Sequence, residues 1–317
     1  GSLQYEQQGD DSFDKSPTPL RNLSQHRLEP LLVDELMRRG ISVEYNTSWI
    51  GLEQHDGFVR STISSADTLT TVDSQWLIAC DGSSSAVRTV TGITMEGPDN
   101  LQQFSMIHFR AELAPLLTNQ RGILYWVCDP RSDGTFVSHG GDNEWVYMYP
   151  RSPLNDDSEL STEGYIEKVT SALAVTGVSI DILRYSTWTM TSQLATSYQD
   201  KRVLLAGDAA HRFPPTGGMG LNTGVQDVHN LAWKLHEVMT GTQPVDFLNT
   251  YQSERRPIAE RNAQASLENA FKMIEVFLAL GADPDPAISA AQFETALATP
   301  SSRDAVLRAI ENQSLHY

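Results

Sequence analysis

The stretch from Val203 to Gly224 constrains this chain more than any other, and it reads VLLAGDAAHRFPPTGGMGLNTG. Its first four residues form an apolar run with the length of a buried strand, and Asp208 follows at the carboxyl end of that run. A Pro-Pro pair and four glycines come next, and apolar residues then recur at helical spacing until Gly241. The pattern predicts a strand, an acidic turn, a glycine-rich loop and then a helix that begins after Gly224.

Glycines and the start of a helix both expose backbone groups that can bind a ligand. Glycines let backbone N–H groups approach a bound group closely, and a helix start adds free N–H groups and a partial positive charge. The stretch therefore suits a phosphate or a delocalised anion. The alternative is a glycine-rich turn that only lets a strand meet a helix.

The same residues resemble the second flavin signature of the aromatic-ring hydroxylases, the para-hydroxybenzoate hydroxylase-like FAD-dependent monooxygenases. The resemblance implies that Gly207 and Asp208 form the turn that holds the ribitol of FAD. It also implies that the loop lies along the isoalloxazine, and that the helix stabilises negative charge on the reduced flavin. The further flavin-binding positions implied are Pro215, Gly217, Gly218, Gly220, Leu221 and Asn222.

Two residues of this stretch are candidate catalytic residues, namely Pro215 and His211. His211 follows the GDAA run, where a role in the cofactor shell or in the structure is favoured over that of a general base. No Ser-His-Asp or paired-carboxylate arrangement stands out. The two cysteines show no metal-ligand spacing, and we expect no metal site.

An earlier segment, LSQHRLEPLLVDELMRRG, predicts a helix with Ser24 as its N-cap and Gly40 at its end. In the resembled family an RxxxQ segment opens this helix, and its Arg and Gln reach the FAD phosphates and the flavin edge. The resemblance thereby implicates Arg21 and Gln25 in cofactor binding. The alternative is an ordinary solvated helix start.

Alternating apolar and polar residues from Ile41 onwards predict three short strands, the last of them TLTTVDSQWLIAC. That strand runs into Cys80-Asp81-Gly82 and a second helix start rich in small hydroxyl residues, again favourable for an anion. The segment resembles the DG motif of the hydroxylases, which links the FAD pyrophosphate region with the path of NAD(P)H. Asp81 and Arg88 are the residues implicated, and the alternative is a buried ion pair that joins the turn to the helix.

Residues 101–190 predict an antiparallel sheet with one helix, at the point where the resembled family has its substrate domain. Because side chains alternate along strands, Tyr147 and Tyr149 share one face of this sheet, and Trp188 is a further aromatic candidate. These three are the candidate substrate-binding residues. The alternative for each is an ordinary place in the core.

The remaining chain predicts helices. LNTYQSERRPIAERNAQASLENAFKMIEVFLALG predicts one long helix disturbed at Pro257, in which Arg255 and Arg256 have structural roles. A last helical stretch runs from Ala287 to the end.

The fold class expected is α/β: a FAD-binding domain related to the doubly wound folds, with an inserted antiparallel β-sheet substrate domain. The expected boundaries are 1–100 and 191–250 for the two parts of the FAD-binding domain, 101–190 for the substrate domain and 251–317 for C-terminal helices. No strand–GxGxxG–helix unit precedes Arg21, so the first βαβ unit of that domain is expected to be missing.

Charge and composition exclude several partners. The formal net charge of −17 argues against nucleic acid and anionic lipid, and no apolar run reaches membrane-spanning length. The two cysteines, Cys80 and Cys128, lie in apolar runs and fit a reducing compartment, so we expect core cysteines in a cytoplasmic protein. The resemblance leaves a homodimer open.

The activity implied by the resemblance is FAD- and NAD(P)H-dependent hydroxylation of a phenolic or enolic carbon, polyketide-derived substrates included, with dioxygen reacting through a flavin hydroperoxide. Two other classes stay open. One is a cofactor-free cyclase or isomerase, pericyclase-like, on a scaffold that has lost FAD. The other is a protein without turnover, either a binding protein or an inactive fragment. Retention of a bound flavin by the purified protein would distinguish the monooxygenase from the other two classes.

Overall fold

The computed structural model describes residues 23–117, 122–129, 132–139, 143–151, 160–283 and 285–314, so Arg21 lies outside the described residues. The helices within these ranges are α1 (Gln25–Arg38), α2 (Ala86–Val90), α3 (Thr162–Leu173), α4 (Met219–Met239), α5 (Asn249–Ala279), α6 (Pro286–Ala298) and α7 (Pro300–Ser314). Short 3₁₀ segments lie at Ala114–Leu117, Gly207–Ala209 and Val245–Leu248.

The strands within the same ranges are β1 (Thr47–Gln54), β2 (Val59–Ser65), β3 (Thr68–Ser74), β4 (Leu77–Ala79), β5 (Met95–Glu96), β6 (Gln102–Arg110), β7 (Leu124–Val127), β8 (Gly134–Ser138), β9 (Glu144–Pro150), β10 (Asp181–Met190), β11 (Gln193–Ala195), β12 (Gln199–Asp200), β13 (Val203–Leu205) and β14 (His211–Arg212). The mixture of helices and sheets agrees with the α/β class expected from the sequence.

The chain divides into two compact units. One, called here the motif unit, holds residues 41–101 and 190–270 and contains both strand–turn–helix motifs. The other, called the sheet unit, holds the described residues within 102–189, together with 23–40 and the described residues within 271–314. Thus α1 and the end of α5 group with the inserted sheet, although the sequence placed α1 within a first domain of residues 1–100.

The motif unit contains three small sheets, ordered β1-β2-β3, β14-β11-β5 and β12-β13-β4. The third strand predicted from sequence is in fact two strands that belong to different sheets, since β3 pairs antiparallel with β2 and β4 pairs parallel with β13. The all-apolar β13 is fully buried, as its sequence predicts. Its side chains pack with Ala79, Leu231 and Tyr251 in one hydrophobic core.

The sheet unit is built on one sheet with the order β10-β6-β9-β8-β7. Within it, β6 pairs with β9, β9 with β8 and β8 with β7, and all three pairs are antiparallel. One face of this sheet packs against α3, where the buried side chains of Tyr165, Val169 and Ala172 meet it. The predicted antiparallel sheet with one helix is therefore confirmed. Its core is aromatic, because Ile107 and Phe109 of β6 lie opposite Tyr147 and Trp145 of β9.

Helix boundaries differ from the sequence prediction at two places, the start of α4 and the last helical stretch. Helix α4 begins at Met219, inside the glycine-rich stretch, and so includes Gly220 and Gly224. The predicted long helix is confirmed as α5, which contains Pro257, and buried side chains such as Tyr251 and Ala259 on either side of it offset the lost hydrogen bond.

The predicted last helical stretch is broken into α6 and α7. The break falls at Thr299, which is extended (φ −99°, ψ 145°) because a residue before proline is disfavoured in helical conformation. Among the described helices, none combines the length and the apolar character needed to cross a bilayer.

Gly134 at the start of β8 offers a test of the sheet packing. A Cβ added there would lie 2.6 Å from the carbonyl oxygen of Met148 and 2.7 Å from the ring of Tyr147. We expect Gly134→Ala to lower the free energy of unfolding by about 1–3 kcal/mol, because neither the strand backbone nor the buried ring has room to move. Urea denaturation measures this, with Gly51→Ala as control, since a Cβ at Gly51 meets nothing within 4 Å. Equal stability of the two variants would contradict this packing.

Candidate functional site

The two predicted turns are brought to one edge of a sheet by the parallel pairing of β4 with β13, in which Ala79 is opposite Leu205. Asp81 follows β4 and Asp208 follows β13, and both side chains are exposed. The carboxyl ends of adjacent parallel strands are where open α/β sheets bind their ligands. The structure thus places the two acidic turns in the position that a ligand site requires.

Arg88 joins the two turns. Its guanidinium donates one hydrogen bond to the carbonyl oxygen of Ala209 and another to that of Ser83, both at 2.9 Å. The expected alternative of an Asp81–Arg88 ion pair is not what the hydrogen bonds show, because Asp81 Oδ2 accepts from the backbone N–H of Val87 at the start of α2. Burial lowers the pKa of Arg88, which nevertheless stays charged since its usual value is far above neutrality.

Cys80 precedes Asp81 and is exposed rather than in the core, contrary to the sequence prediction. Desolvation, followed by the negative charge of Asp81, raises the pKa of the Cys80 thiol. The thiol is therefore protonated at neutral pH and a poor nucleophile.

Close contact of two glycines fixes the start of α4 against the second turn. Gly207 has φ +60°, and a Cβ added at Gly224 would lie only 3.3 Å from the Cα of Gly207. A side chain at position 224 would push the helix away from the turn. Gly224 is therefore needed for helix packing, although the sequence assigned it to a loop.

The glycine-rich loop ends in a helix start without a side-chain cap. Gly217 and Gly218 have φ +105° and +61°, which L side chains rarely adopt, and Gly218 is the N-cap of α4. Gly218 N–H donates to the carbonyl oxygen of Pro215, and no side chain caps the helix. A Cβ at Gly220 would meet nothing within 4 Å. The first turn of α4 thus offers backbone N–H groups to a ligand.

The expected flavin-binding residues of this stretch are collected in one place. Pro215, Leu221 and Asn222 are exposed around the start of α4, and Asn222 Nδ2 donates to the carbonyl oxygen of Gly218. Gln25 belongs to the sheet unit, where its side chain is exposed and donates to Glu29 Oε1 at 2.6 Å. Its contact with flavin stays a prediction.

His211 is completely buried in the motif unit. Its Nε2 lies 2.6 Å from Asp227 Oδ2, and its ring stacks on Phe213 with 4.8 Å between centroids. A histidine enclosed in this way cannot touch a ligand in this structure. Its position corresponds to the structural role favoured by the sequence, and not to that of a general base.

Asp227 is the residue that sequence reasoning missed. It is fully buried, its Oδ1 accepts from Arg255 Nε at 2.8 Å, and its Oδ2 accepts from the backbone N–H of Gly207 at 3.3 Å. The signal that could have found it is its position on the buried stripe of α4, where Thr223, Asp227 and Leu231 recur every fourth residue. An acid within an apolar stripe needs a charged partner.

Tyr251 makes a second connection from α5 to the same strand end. Its hydroxyl donates to the carbonyl oxygen of Leu205 at 2.8 Å in the buried core. Burial raises the pKa of Tyr251, so the hydroxyl remains a donor at all ordinary pH values. Both Arg255 and Tyr251 of α5 therefore help to fix the site.

The candidate substrate residues of the sheet unit divide between its two faces. Tyr147 and Tyr149 share the face under α3, as expected, but are 1% and 3% exposed and stack with 5.1 Å between ring centroids. Both rings therefore pack in the hydrophobic core and leave almost no surface accessible to a ligand. Trp188 stacks instead on Phe104 with 4.9 Å between centroids. Phe104 points away from the buried residues Ser105 and Ile107 of the same strand.

Comparison with known proteins identifies the family. The sequence matches the family described as FAD binding domain over residues 3–266, more than half of the chain. The chain belongs to the FAD-binding-domain family.

Two curated relatives and one solved structure illustrate its place in that family. Tetracenomycin B2 monooxygenase-dioxygenase of Streptomyces olivaceus is 34% identical over 80% of this chain and 48% of its own length. 2,4-Dichlorophenol 6-monooxygenase of Delftia acidovorans is 31% identical over 84% of this chain and 47% of its own length. The flavin-dependent monooxygenase PieE, solved in complex with FAD and substrate, superposes with a TM-score of 0.87 at 28% identity, over 97% of this chain and 55% of PieE. The chain thus spans about half the length of the curated relatives it matches.

The residues of the motif unit fit the cofactor of this FAD-binding family. A flat anionic ring system needs a backbone without side chains in its way, and the positive φ angles of Gly217 and Gly218 and the open space at Gly220 provide it. The uncapped start of α4 supplies N–H donors and partial positive charge. The exposed carboxylate of Asp208 can accept hydrogen bonds from hydroxyl groups.

Asp227→Asn tests whether the buried carboxylate holds this site together. We expect the free energy of unfolding to fall by roughly 3–5 kcal/mol, because the substitution leaves the buried Arg255 without its counter-charge. Chemical denaturation measures the change.

Asp73→Asn is the matched control, since Asp73 forms a two-pronged ion pair with Arg60 on an exposed strand pair. Its stability should be nearly unchanged, as for most exposed pairs. If Asp227→Asn were equally harmless, the carboxylate would not be the connection that we describe.

Proposed function

We propose that this chain carries the flavin-side contacts of an FAD- and NAD(P)H-dependent monooxygenase that hydroxylates a phenolic or enolic carbon of an aromatic, polyketide-derived substrate. The observation that carries the proposal is the uncapped start of α4, preceded by two glycines with positive φ. Helix α4 packs through Gly224 against Gly207 in the turn that follows β13, and the carboxyl ends of such strands are where α/β folds bind their ligands.

The roles of the residues follow from their placement. The 21-residue helix α4 carries the equivalent of roughly half a positive charge at its start, which stabilises negative charge on the ring of the reduced cofactor. Gly217, Gly218 and Gly220 let that ring approach the backbone. Asp208 accepts hydrogen bonds from the ribitol hydroxyls, while Arg88 holds its turn against that of Asp81.

When bound, FAD supplies the hard chemistry: it takes a hydride from NAD(P)H and activates dioxygen for transfer of one oxygen atom. The side chains of this chain position the reactants and keep water from the ring. No catalytic proton transfer is assigned to His211, because its ring is enclosed and bound to Asp227. Pro215, exposed in the loop, would line the space beside the bound ring.

The aromatic substrate contacts the sheet unit through the Trp188–Phe104 pair. These stacked rings belong to β10 and β6 and present an aromatic surface, whereas Tyr147 and Tyr149 serve the core beneath α3. Relatives of this chain carry the names tetracenomycin B2 monooxygenase-dioxygenase and 2,4-dichlorophenol 6-monooxygenase, and the second name specifies a phenol. Offset stacking on such a pair suits a planar substrate.

Binding of FAD tests the cofactor part of the proposal. We expect the purified protein to quench FAD fluorescence and to acquire a visible flavin spectrum. Gly220→Leu should abolish this binding without loss of stability, because the new side chain has room in the fold but occupies the space over the helix start. Asp208→Asn should weaken binding about 10-fold or more, since a hydrogen bond to a charged group contributes roughly 1.5–3 kcal/mol.

The controls are Gly51→Leu and Asp246→Asn, which alter an equally open glycine and another exposed aspartate. Both should bind FAD like the unchanged protein. A folded protein that refuses FAD would overturn the proposal and favour the cofactor-free cyclase or isomerase. Binding that survives Gly220→Leu would place the flavin elsewhere.

Turnover tests the substrate part. With FAD bound, a phenolic compound should accelerate NAD(P)H oxidation and oxygen uptake. Trp188→Ala should raise the KM for the phenol by about 10-fold, since an aromatic stacking contact contributes roughly 0.5–1.5 kcal/mol beyond the area that it buries. The affinity for FAD should stay unchanged. Steady-state kinetics combined with the FAD titration separates these effects, and an unchanged KM would remove Trp188 from the substrate site.

A further inference from the structure

Three histidines surround one buried carboxylate in the sheet unit, and none of these four residues is among the predicted flavin-binding residues. Glu144 opens β9, His139 follows β8 directly, His108 lies in β6 and His26 in α1. The backbone N–H of His139 donates to the carbonyl oxygen of Glu144, and Arg110 of β6 is opposite Glu144 in the strand register. Sheet pairing therefore brings together residues that are far apart in the chain.

The distances within this cluster are those of a site that can close on an ion. His26 Nε2 lies 3.3 Å and His108 Nε2 4.0 Å from Glu144 Oε2. The potential ligand atoms of His26, His139 and Glu144 all lie within 4.8 Å of one another. In a tetrahedral site with bonds of about 2 Å, ligand atoms are roughly 3.3 Å apart, so small side-chain rotations complete the geometry.

The buried polar atoms of the cluster have no hydrogen-bond partner among the described residues. They are His108 Nε2, His139 Nδ1 and Glu144 Oε2. Glu144 is only 7% exposed, and its other oxygen, Oε1, accepts from Arg110 Nη2 at 2.7 Å. Buried polar atoms without hydrogen bonds are rare in folded proteins, and a ligand shared by these neighbouring residues would satisfy them.

The donor set selects the kind of partner. Imidazole nitrogens together with a carboxylate oxygen suit Zn²⁺ and neighbouring first-row ions, whereas Mg²⁺ and Ca²⁺ prefer oxygen ligands only. Arg110 donates two hydrogen bonds to Glu144 Oε1 and so orients the carboxylate. Residues that surround metal sites commonly orient the metal ligands in this way. We infer that His26, His139 and Glu144, with His108 beside them, bind a divalent transition-metal ion such as Zn²⁺.

A bound ion would also link α1 to the sheet of this unit. None of the residues of α1 is buried, and Leu31 and Leu32 are more than half exposed. An ion shared by His26 and the sheet residues fixes the first turn of this helix to the sheet. The role assigned is structural, and it is independent of the proposed hydroxylation.

Metal binding by the untagged protein tests this inference. After treatment with a chelator, the protein is titrated with Zn²⁺ by calorimetry and with Co²⁺ by visible absorption, which reports coordination by protein ligands. We expect one ion per chain and a rise of the melting temperature with Zn²⁺ concentration, because an ion that binds only the folded state stabilises it. His26→Ala and His139→Ala should each weaken binding by at least about 10-fold and reduce the temperature shift.

His55→Ala is the matched control, because His55 Nε2 lies 3.4 Å from Glu53 Oε2 in an accessible pair without further histidines. It should bind Zn²⁺ like the unchanged protein. Glu144→Gln is avoided as the main variant, since it also breaks the contact with Arg110. Absence of Zn²⁺ binding, or binding that survives both His26→Ala and His139→Ala, would overturn the inference.

Discussion

The buried carboxylate of Asp227 is the interaction on which the arrangement of the flavin motifs depends. Its Oδ1 accepts a hydrogen bond from Arg255 of α5. Its Oδ2 accepts from the backbone N–H of Gly207 and lies within hydrogen-bond distance of His211 Nε2. A charge with no exposure to water is tolerated only when it is paired and hydrogen-bonded. The turn after β13, the helix α4 and the helix α5 must therefore be in place together, so the site forms as one unit with its core.

The glycines of the motif serve three different physical purposes. Gly217 and Gly218 adopt backbone angles that other residues resist, Gly224 lets α4 approach the Gly207 turn, and Gly220 leaves space beyond the helix start. The backbone angles of Gly217 and Gly218 and the space at Gly220 concern a ligand directly, whereas Gly224 serves helix packing. A glycine-rich signature is thus partly a binding surface and partly a packing device, which explains why it extends into the helix.

The sequence predicted most of the elements and the two strand–turn–helix motifs, because these depend on local patterns. Strand alternation predicted the inserted sheet, and the GD and DG motifs predicted both acidic turns. It misjudged residues whose neighbours come from elsewhere in the chain. The strand ending at Cys80 divides between two sheets, Arg88 binds carbonyl groups instead of Asp81, and Tyr147 is enclosed in the core.

By itself, the sequence determined the membership of the FAD-binding-domain family and the order of the elements around the glycine-rich loop. It could do so because dihedral preference, hydrophobic period and motif spacing act between near neighbours in the chain. Only the tertiary structure decided which charged and polar groups meet. Asp227 and Arg255, or His26 and Glu144, lie on different elements, and their contact depends on sheet register and helix packing that no local pattern encodes.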